Sequence, residues 1–209
     1  MTQEKNAVTA EPAYSRTAVL PVTGHESFIG IDATVLDFWQ WAVSDLRMNT
    51  TRSMLAEFFV ALAVGSTATK RVEWDNYDIL TPEGIKIEVK ASGYRQSWGQ
   101  KKKSVPTFGG FIAREYAWET GSYIGEPKVR ADVFVFALQT SWEADDYNVL
   151  DVDQWEFYIV PANIIRDCNR KSVGMALVRQ HGQYQGRAVR WRELHQVICE
   201  TARQAGALD

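Results

Sequence analysis

Residues 74–90 read WDNYDILTPEGIKIEVK, and the loop at their centre decides how the chain is built. Pro82-Glu83-Gly84 is the signature of a three-residue hairpin turn. Proline pre-sets the first turn dihedral, and glycine accepts the left-handed conformation that closes the loop. With that loop, Thr81 pairs with Ile85, Asp78 lies across from Glu88, and Asn76 across from Lys90. Residues two apart along a strand share a face, as do residues directly opposite. Asp78, Glu88 and Lys90 therefore emerge on one side, and Tyr77, Ile79, Ile85, Ile87 and Val89 on the other. A two-residue turn would slip the register by one and send Asp78 and Glu88 to opposite faces. Asp75 falls opposite Ala91 on the apolar side and is the poorer partner for Glu88.

The 209 residues suffice for one sizeable core, and 45% hydrophobic residues with eight tryptophans describe a globular chain rather than a disordered one. A net charge of -3 gives no global nucleic-acid footprint, so any such binding must come from a local patch. Cys168 and Cys199 form no disulfide framework and no metal-ligand spacing, and they read as inert thiols in a reducing setting. His25, His181 and His195 likewise show no ligand spacing. No apolar run approaches a membrane span, and the N-terminus lacks a basic-then-apolar signal pattern. The expectation is a cytoplasmic protein with no membrane partner.

Residues 1–26 are polar and aperiodic and read as a flexible arm, although Tyr14 and the run Val19-Leu20-Pro21-Val22 could dock; residues 27–209 read as a single domain with a C-terminal helical extension. A helix is predicted from Ala33 to about Leu46 on the spacing of Val35, Phe38, Trp39 and Ala42. Asn49-Thr50-Thr51 offers cap chemistry for a second helix from Thr51 to Val64, ended by Gly65. That helix is apolar nearly all round, which predicts burial and makes Glu57 conspicuous, because a buried carboxylate needs a cation, a metal or a donor beside it.

Beyond the hairpin, Arg95, Lys101, Lys102, Lys103, Arg114, Lys128 and Arg130 are interleaved with aromatic residues, and a helix is predicted over Phe111–Glu119. Ala131–Gln139 reads as a strand buried on both faces. An acidic loop follows, with Asp151-Val152-Asp153 a solvated turn rather than half a calcium loop. A strand over Trp155–Val160 ends at Pro161, which opens a short helix to Cys168. A last helix near Trp191–Ala205 packs through Leu194, Val197 and Ile198.

Carboxylates and a lysine on adjacent elements are the equipment for metal-assisted phosphodiester cleavage. Glu57, Asp78, Glu88 and Lys90 occur in the order helix, strand, strand, and in that order and spacing the chain resembles the PD-(D/E)XK nuclease superfamily, with Glu88-Val89-Lys90 as its E-x-K element. The resemblance implies an α/β, restriction-endonuclease-like fold: a mixed β-sheet flanked by helices. It also implies a Mg²⁺-dependent (or Mn²⁺-dependent) nuclease that leaves 5′-phosphate ends, with DNA the expected substrate. Asp78, Glu88 and the Val89 carbonyl would ligate metal, Glu57 directly or through water, and Lys90 would act on the nucleophilic water. Gln96 resembles a glutamine that some branches carry after the E-x-K strand. A homodimer would suit double-strand cutting.

The resemblance spans about residues 51–160 and departs in three places. Tyr77, not proline, precedes Asp78. The leading strand is short or missing, and a long basic-aromatic insertion follows the lysine strand. Within that insertion, Arg95, Trp98 and Lys101-Lys102-Lys103 are candidates for phosphate contact and base stacking. Plainer readings stand beside these. Glu88-Val89-Lys90 alone could be alternating charge on an outer strand face. Glu57 could pair with Arg52 or Lys70 as a structural ion pair, and the lysine run could be a solvated loop. The whole could be a binding module of the same fold that cuts poorly, or a structural, partner-binding protein.

Overall fold

The computed structural model describes residues 22–67, 71, 76–117 and 120–208. In chain order, helices α1 (Val35–Val43) and α2 (Asn49–Ala63) precede the hairpin strands β1 (Ile79–Leu80) and β2 (Lys86–Gly93). Then come β3 (Thr107–Gly109), β4 (Ala113–Ala117), β5 (Ser122–Lys128), β6 (Val133–Gln139) and β7 (Trp155–Pro161). The chain closes through α3 (Ala162–Cys168), β8 (Ser172–Gly174), α4 (Met175–His181), α5 (Gln183–Gly186) and α6 (Leu194–Gln204).

The apolar run Val133–Leu138 makes β6 the central strand, with every residue of β6 buried. β2 joins it in parallel, Ile87 opposite Val133 through Gly93 opposite Gln139, and β7 joins antiparallel on its other side. With β1 at the edge, the sheet order is β1-β2-β6-β7. A sheet buried on both faces needs cover on both. On one face Ile87, Val89, Val135 and Ile159 pack under Ala56 and Val60 of α2 and Leu194, Val197 and Ile198 of α6. On the other, Phe134, Phe136 and Tyr158 meet Phe108, Phe111, Ile165 and Val178. Phe108 and Phe111 stand edge-on to Phe136 and Phe134 at centroid distances of 5.0 and 5.7 Å. The α/β class with a mixed sheet between helices is as expected.

α2 ends where Gly65 takes a φ of +70°. The Ser66 N–H donates to the Ala61 carbonyl at 2.8 Å and the Gly65 N–H to Leu62 at 3.3 Å, the paired bonds of a left-handed glycine cap. At the other end the expected cap chemistry fails. Met48 is the N-cap and uses no side chain, while the Thr51 hydroxyl donates instead to the Asp45 carbonyl. Nor is α2 buried all round. Phe58 and Leu62 are about half exposed, because the helix lies on one face of a single sheet and has no second layer over it.

α1 forms with Thr34 and Asp37 as a capping box, yet none of its residues is buried. Trp41 is 84% exposed, so its apolar spacing marks a helix without marking a core. The predicted helix over Phe111–Glu119 is instead β4, antiparallel to β5, with Tyr116 against Tyr123 across the ladder. The Arg114-Glu115-Tyr116 alternation and the left-handed Gly121 favour a hairpin over a helix. Trp118 and Glu119 lie outside the described residues, as does the proposed arm up to Pro21. The strands β6 and β7 and the helices α3 and α6 stand where the sequence puts them. Asp151 caps a short 3₁₀ turn rather than a calcium loop.

The hairpin turn gives a stability test. Gly84 sits at φ +90° with open space around it, so the penalty of a side chain there is conformational. Gly84→Ala should destabilise the protein by about 1–2 kcal/mol in urea unfolding, whereas Ile87→Ala, at a fully buried position, should cost about 2–5 kcal/mol.

Candidate active site

The loop length settles the register as the sequence reading required. The Thr81 N–H donates to the Ile85 carbonyl at 3.0 Å and the Gly84 N–H to the Thr81 carbonyl at 2.9 Å. Ile79 faces Ile87 and Leu80 faces Lys86. The Asp78 N–H donates to the Ile87 carbonyl at 3.0 Å. Beyond that bond the chain before Asp78 leaves the sheet, so β1 has only two strand residues. Val89 is the next β2 residue whose N–H faces this edge, and it donates to the Asp78 carboxylate, to Oδ2 at 2.7 Å. The aspartate side chain continues the ladder where the backbone stops. Asn76 therefore does not pair with Lys90 in a strand. It sits in a bend, its Oδ1 buried and without a hydrogen-bond partner. Tyr77 is half-buried and not part of the apolar core expected for it.

Glu88 and Lys90 emerge on the face shared with Phe134 and Phe136, with which they are paired across the parallel ladder. Lys90 Nζ donates to Glu88 Oε1 at 2.6 Å. The 109–111 loop passes close above: a Cβ on Gly110 would lie 3.7 Å from Lys90 Nζ. Both side chains are about one-fifth exposed, enough to be reached from solvent yet largely desolvated.

Glu57, on α2, is 8% exposed. Its partner is Arg71, whose Nε contacts Oε2 and whose Nη2 donates to Oε1 at 3.1 Å, a two-pronged clasp. Nothing in the residue pattern marks Arg71, which follows a stretch with no periodicity. Arg52 is turned away from Glu57. Its Nη2 contacts the Arg47 carbonyl and donates to Gln96 Oε1 at 3.1 Å. Lys70 lies outside the described residues.

The electrostatics tie these groups into one site. Burial, then the charge of Glu88, then that of Glu57 push the Asp78 carboxyl up to about 7, against the opposing hydrogen bond from Val89 and the charge of Lys90. Burial also raises Glu88, with Glu57 adding to it and Lys90 opposing. Like charges in a low-dielectric setting cannot all ionise cheaply. Among the described residues, however, Glu57, Asp78 and Glu88 do not bring their oxygens within 4.8 Å of one another as a trio. The donors are all carboxylate oxygens, which suits a hard divalent cation. Asp78 and Glu88 are the pair that suits such an ion, while Glu57 is held by Arg71.

Gln96 is not drawn to the carboxylates by any hydrogen bond seen here. Besides accepting from Arg52, it donates from Nε2 to the Gly93 carbonyl at 3.0 Å, and its backbone N–H donates to Gln100 Oε1 at 2.6 Å. These bonds pin the loop after β2. The loop walls a cleft of about 370 Å³ whose lining includes Arg47, Arg95, Gln96, Trp98 and Trp142. Arg47 and Trp142 were not foreseen, since nothing local to either marks it. Arg95 Nη1 donates to the Trp142 carbonyl at 2.8 Å. Trp98 is 59% exposed, and Lys101, Lys102 and Lys103 are exposed beside it. Lys103 Nζ lies 5.6 Å from the centroid of the Tyr94 ring.

The fold is mixed α/β and gathers the hairpin carboxylates and Lys90 in one largely desolvated region. The match to a known family is specific. Residues 35–175 fit the family model of bacteriophage T4 endonuclease IV, and the chain belongs to that family. The matched span runs from α1 to the first residue of α4 and contains Glu57, Asp78, Glu88, Lys90 and the Arg95–Lys103 loop. No curated protein matches the chain significantly.

The raised carboxyl has a measurable consequence. Between the ordinary carboxylate range and about pH 7, the folded protein holds a proton on Asp78 that the unfolded chain releases. Metal-free stability should therefore fall as pH climbs through that window, by roughly 4 kcal/mol in total. Asp78→Asn should flatten the slope in urea titrations at about pH 5 and about pH 8. A wild-type stability that instead rises over this interval would mean the carboxyl is not held protonated.

Proposed function

We propose that this family member is a Mg²⁺-dependent (or Mn²⁺-dependent) DNA nuclease of the PD-(D/E)XK type, with Asp78, Glu88 and Lys90 as its catalytic core and a restriction-endonuclease-like arrangement of the sheet. The observation that carries the reading is the hairpin register. It brings the Asp78 carboxylate to the Val89 N–H beside Glu88, with Lys90 two residues along, and the repulsion between the carboxylates is what a dication would relieve. A metal held by Asp78, Glu88 and the Val89 carbonyl would polarise a phosphoryl oxygen and acidify bound water.

The rest of the work falls to the chain's own groups. Lys90 keeps an ammonium beside Glu88, where it can orient the attacking water and offset charge developing on the phosphate. The Val89 N–H fixes Asp78 Oδ2, so the carboxylate does not have to reorganise on binding. Glu57 adds negative charge to the site from α2, with Arg71 holding it in place. Gln96 positions the loop that carries Arg95, Trp98 and Lys101–Lys103. In this reading those side chains meet the nucleic-acid backbone and bases as point charges and a stacking surface. An excess of local positive charge on a chain of net charge -3 suits a nucleic-acid strand led across one face. A cytoplasmic setting is consistent with this reading.

One observation favours a second reading, a module of the same family that binds nucleic acid and cuts weakly. Both glutamates are already clasped, Glu57 by Arg71 and Glu88 by Lys90. Loading a metal would mean rearranging those ion pairs.

Cleavage of plasmid and single-stranded DNA, with and without divalent metal, decides between the two. Lys90→Ala and Asp78→Ala should each lower metal-dependent cleavage by at least about 100-fold while leaving DNA binding in place. Metal-independent gel shifts without cleavage would select the weak cutter. Replacing Lys101, Lys102 and Lys103 together by alanine should weaken binding and reduce the slope of log affinity against log salt by about two to three. An unchanged slope would remove the loop from the interface.

A further inference from the structure

A second cluster of ligating side chains lies at the far end of the same hairpin. Glu83 occupies the tip of the three-residue turn, and α6 passes beneath it. His195 and Cys199 are four residues apart on α6, so they stand one above the other on a single face. The Glu83 carboxylate, a His195 ring nitrogen and Cys199 Sγ all lie within 4.8 Å of one another. His195 Nε2 is already 3.0 Å from Glu83 Oε1. Glu83 and His195 are exposed, while Cys199 is 8% exposed and closes the cluster from the core side.

We propose that Glu83, His195 and Cys199 form a metal site for zinc or a similarly borderline divalent ion, clipping the hairpin turn to α6. One carboxylate, one imidazole and one thiolate make a zinc-type set. Tetrahedral bond lengths place such donors roughly 3.5 Å apart, so the imidazole and carboxylate, 3.0 Å apart, open slightly to admit the ion while the sulfur closes on it. The fourth position opens to solvent and takes water. The thiol proton leaves to solvent on binding.

Chemistry separates this site from the hairpin's other end. Asp78 and Glu88 offer only oxygen and suit a hard cation, whereas sulfur and imidazole select a softer one, so a single protein can load both without exchange. The plain alternative is a surface hydrogen bond between a histidine and a glutamate. It accounts for Glu83 and His195, with Cys199 then serving only as a buried core residue, and it does not require the three ligating atoms to converge. His195 and Cys199 lie beyond the 35–175 span that matches the family, and Glu83 lies within it.

The test uses the full chain, stripped by chelator and titrated with Co²⁺ and then Zn²⁺ in excess Mg²⁺, which keeps the oxygen site occupied. A single equivalent of Co²⁺ should give a thiolate-to-metal charge-transfer band and tetrahedral visible bands that Zn²⁺ abolishes. The Zn²⁺ complex should also melt higher than the stripped protein. Cys199→Ser should lose the charge-transfer band. Glu83→Gln and His195→Asn, both at exposed positions that leave the fold intact, should each weaken zinc at least about 10-fold. Asp78→Asn should leave the zinc affinity unchanged. The proposal is overturned if the wild type shows no thiolate band. It is also overturned if zinc affinity survives in both exposed variants, or if Asp78→Asn abolishes it. If Cys199→Ser fails to fold, the two exposed variants decide alone.

Discussion

One hydrogen bond sits at the origin of this site: the Val89 N–H donating to Asp78 Oδ2 at 2.7 Å. A two-residue edge strand cannot complete the β2 ladder by backbone alone, and a buried amide left without an acceptor costs about 1–3 kcal/mol. Asp78 supplies the missing acceptor with its side chain. In doing so the carboxylate is held against the sheet beside Glu88 and within reach of Glu57's charge. Structure and chemistry are coupled through that bond. The group that terminates the strand is also one that holds its proton unusually tightly for a carboxyl, raised to about 7.

Such a site is unfavourable in isolation, and the surrounding architecture explains why it persists. The sheet beneath it is buried on both faces. Phe134 and Phe136, which share a face with Glu88 and Lys90, pack edge-on against Phe111 and Phe108. Burial of aromatic and aliphatic side chains of this size stabilises by about 1.5–3 kcal/mol each, more than enough to offset one strained carboxylate. Counter-charges do the rest: Lys90 on Glu88, and Arg71 on Glu57. Each of those pairs joins residues whose relation depends on the fold. Glu57 lies within α2, and Arg71 lies in the passage between α2 and the hairpin.

The hairpin was legible because its information is local. Pro82-Glu83-Gly84 fixes a turn, the turn fixes the register, and the register fixes which side chains share a face. The same holds for β6, whose uninterrupted apolar run can only be central, and for the glycine stop of α2. Reading failed where a local pattern had two outcomes and only contacts could choose. Residues 113–117 could have been a helix, but pairing with β5 made them a strand. The apolar spacing of α1 and α2 forecast helices correctly, but the all-round burial expected of α2 was not met, since the depth of a helix face depends on what is packed over it.

Residue order was enough for the turn, the strand alternation and thus the set Asp78, Glu88 and Lys90, because period-two geometry needs no distant partner. Tertiary structure alone decided that Arg71 would hold Glu57, that Arg52 would turn to Gln96, and that Arg95 and Trp142 would meet across one cleft. It also decided that Glu83 would come to rest against His195 and Cys199, more than one hundred residues further along. Those pairings join positions far apart in the chain, and their energies exist only once the sheet and helices have closed the distance between them.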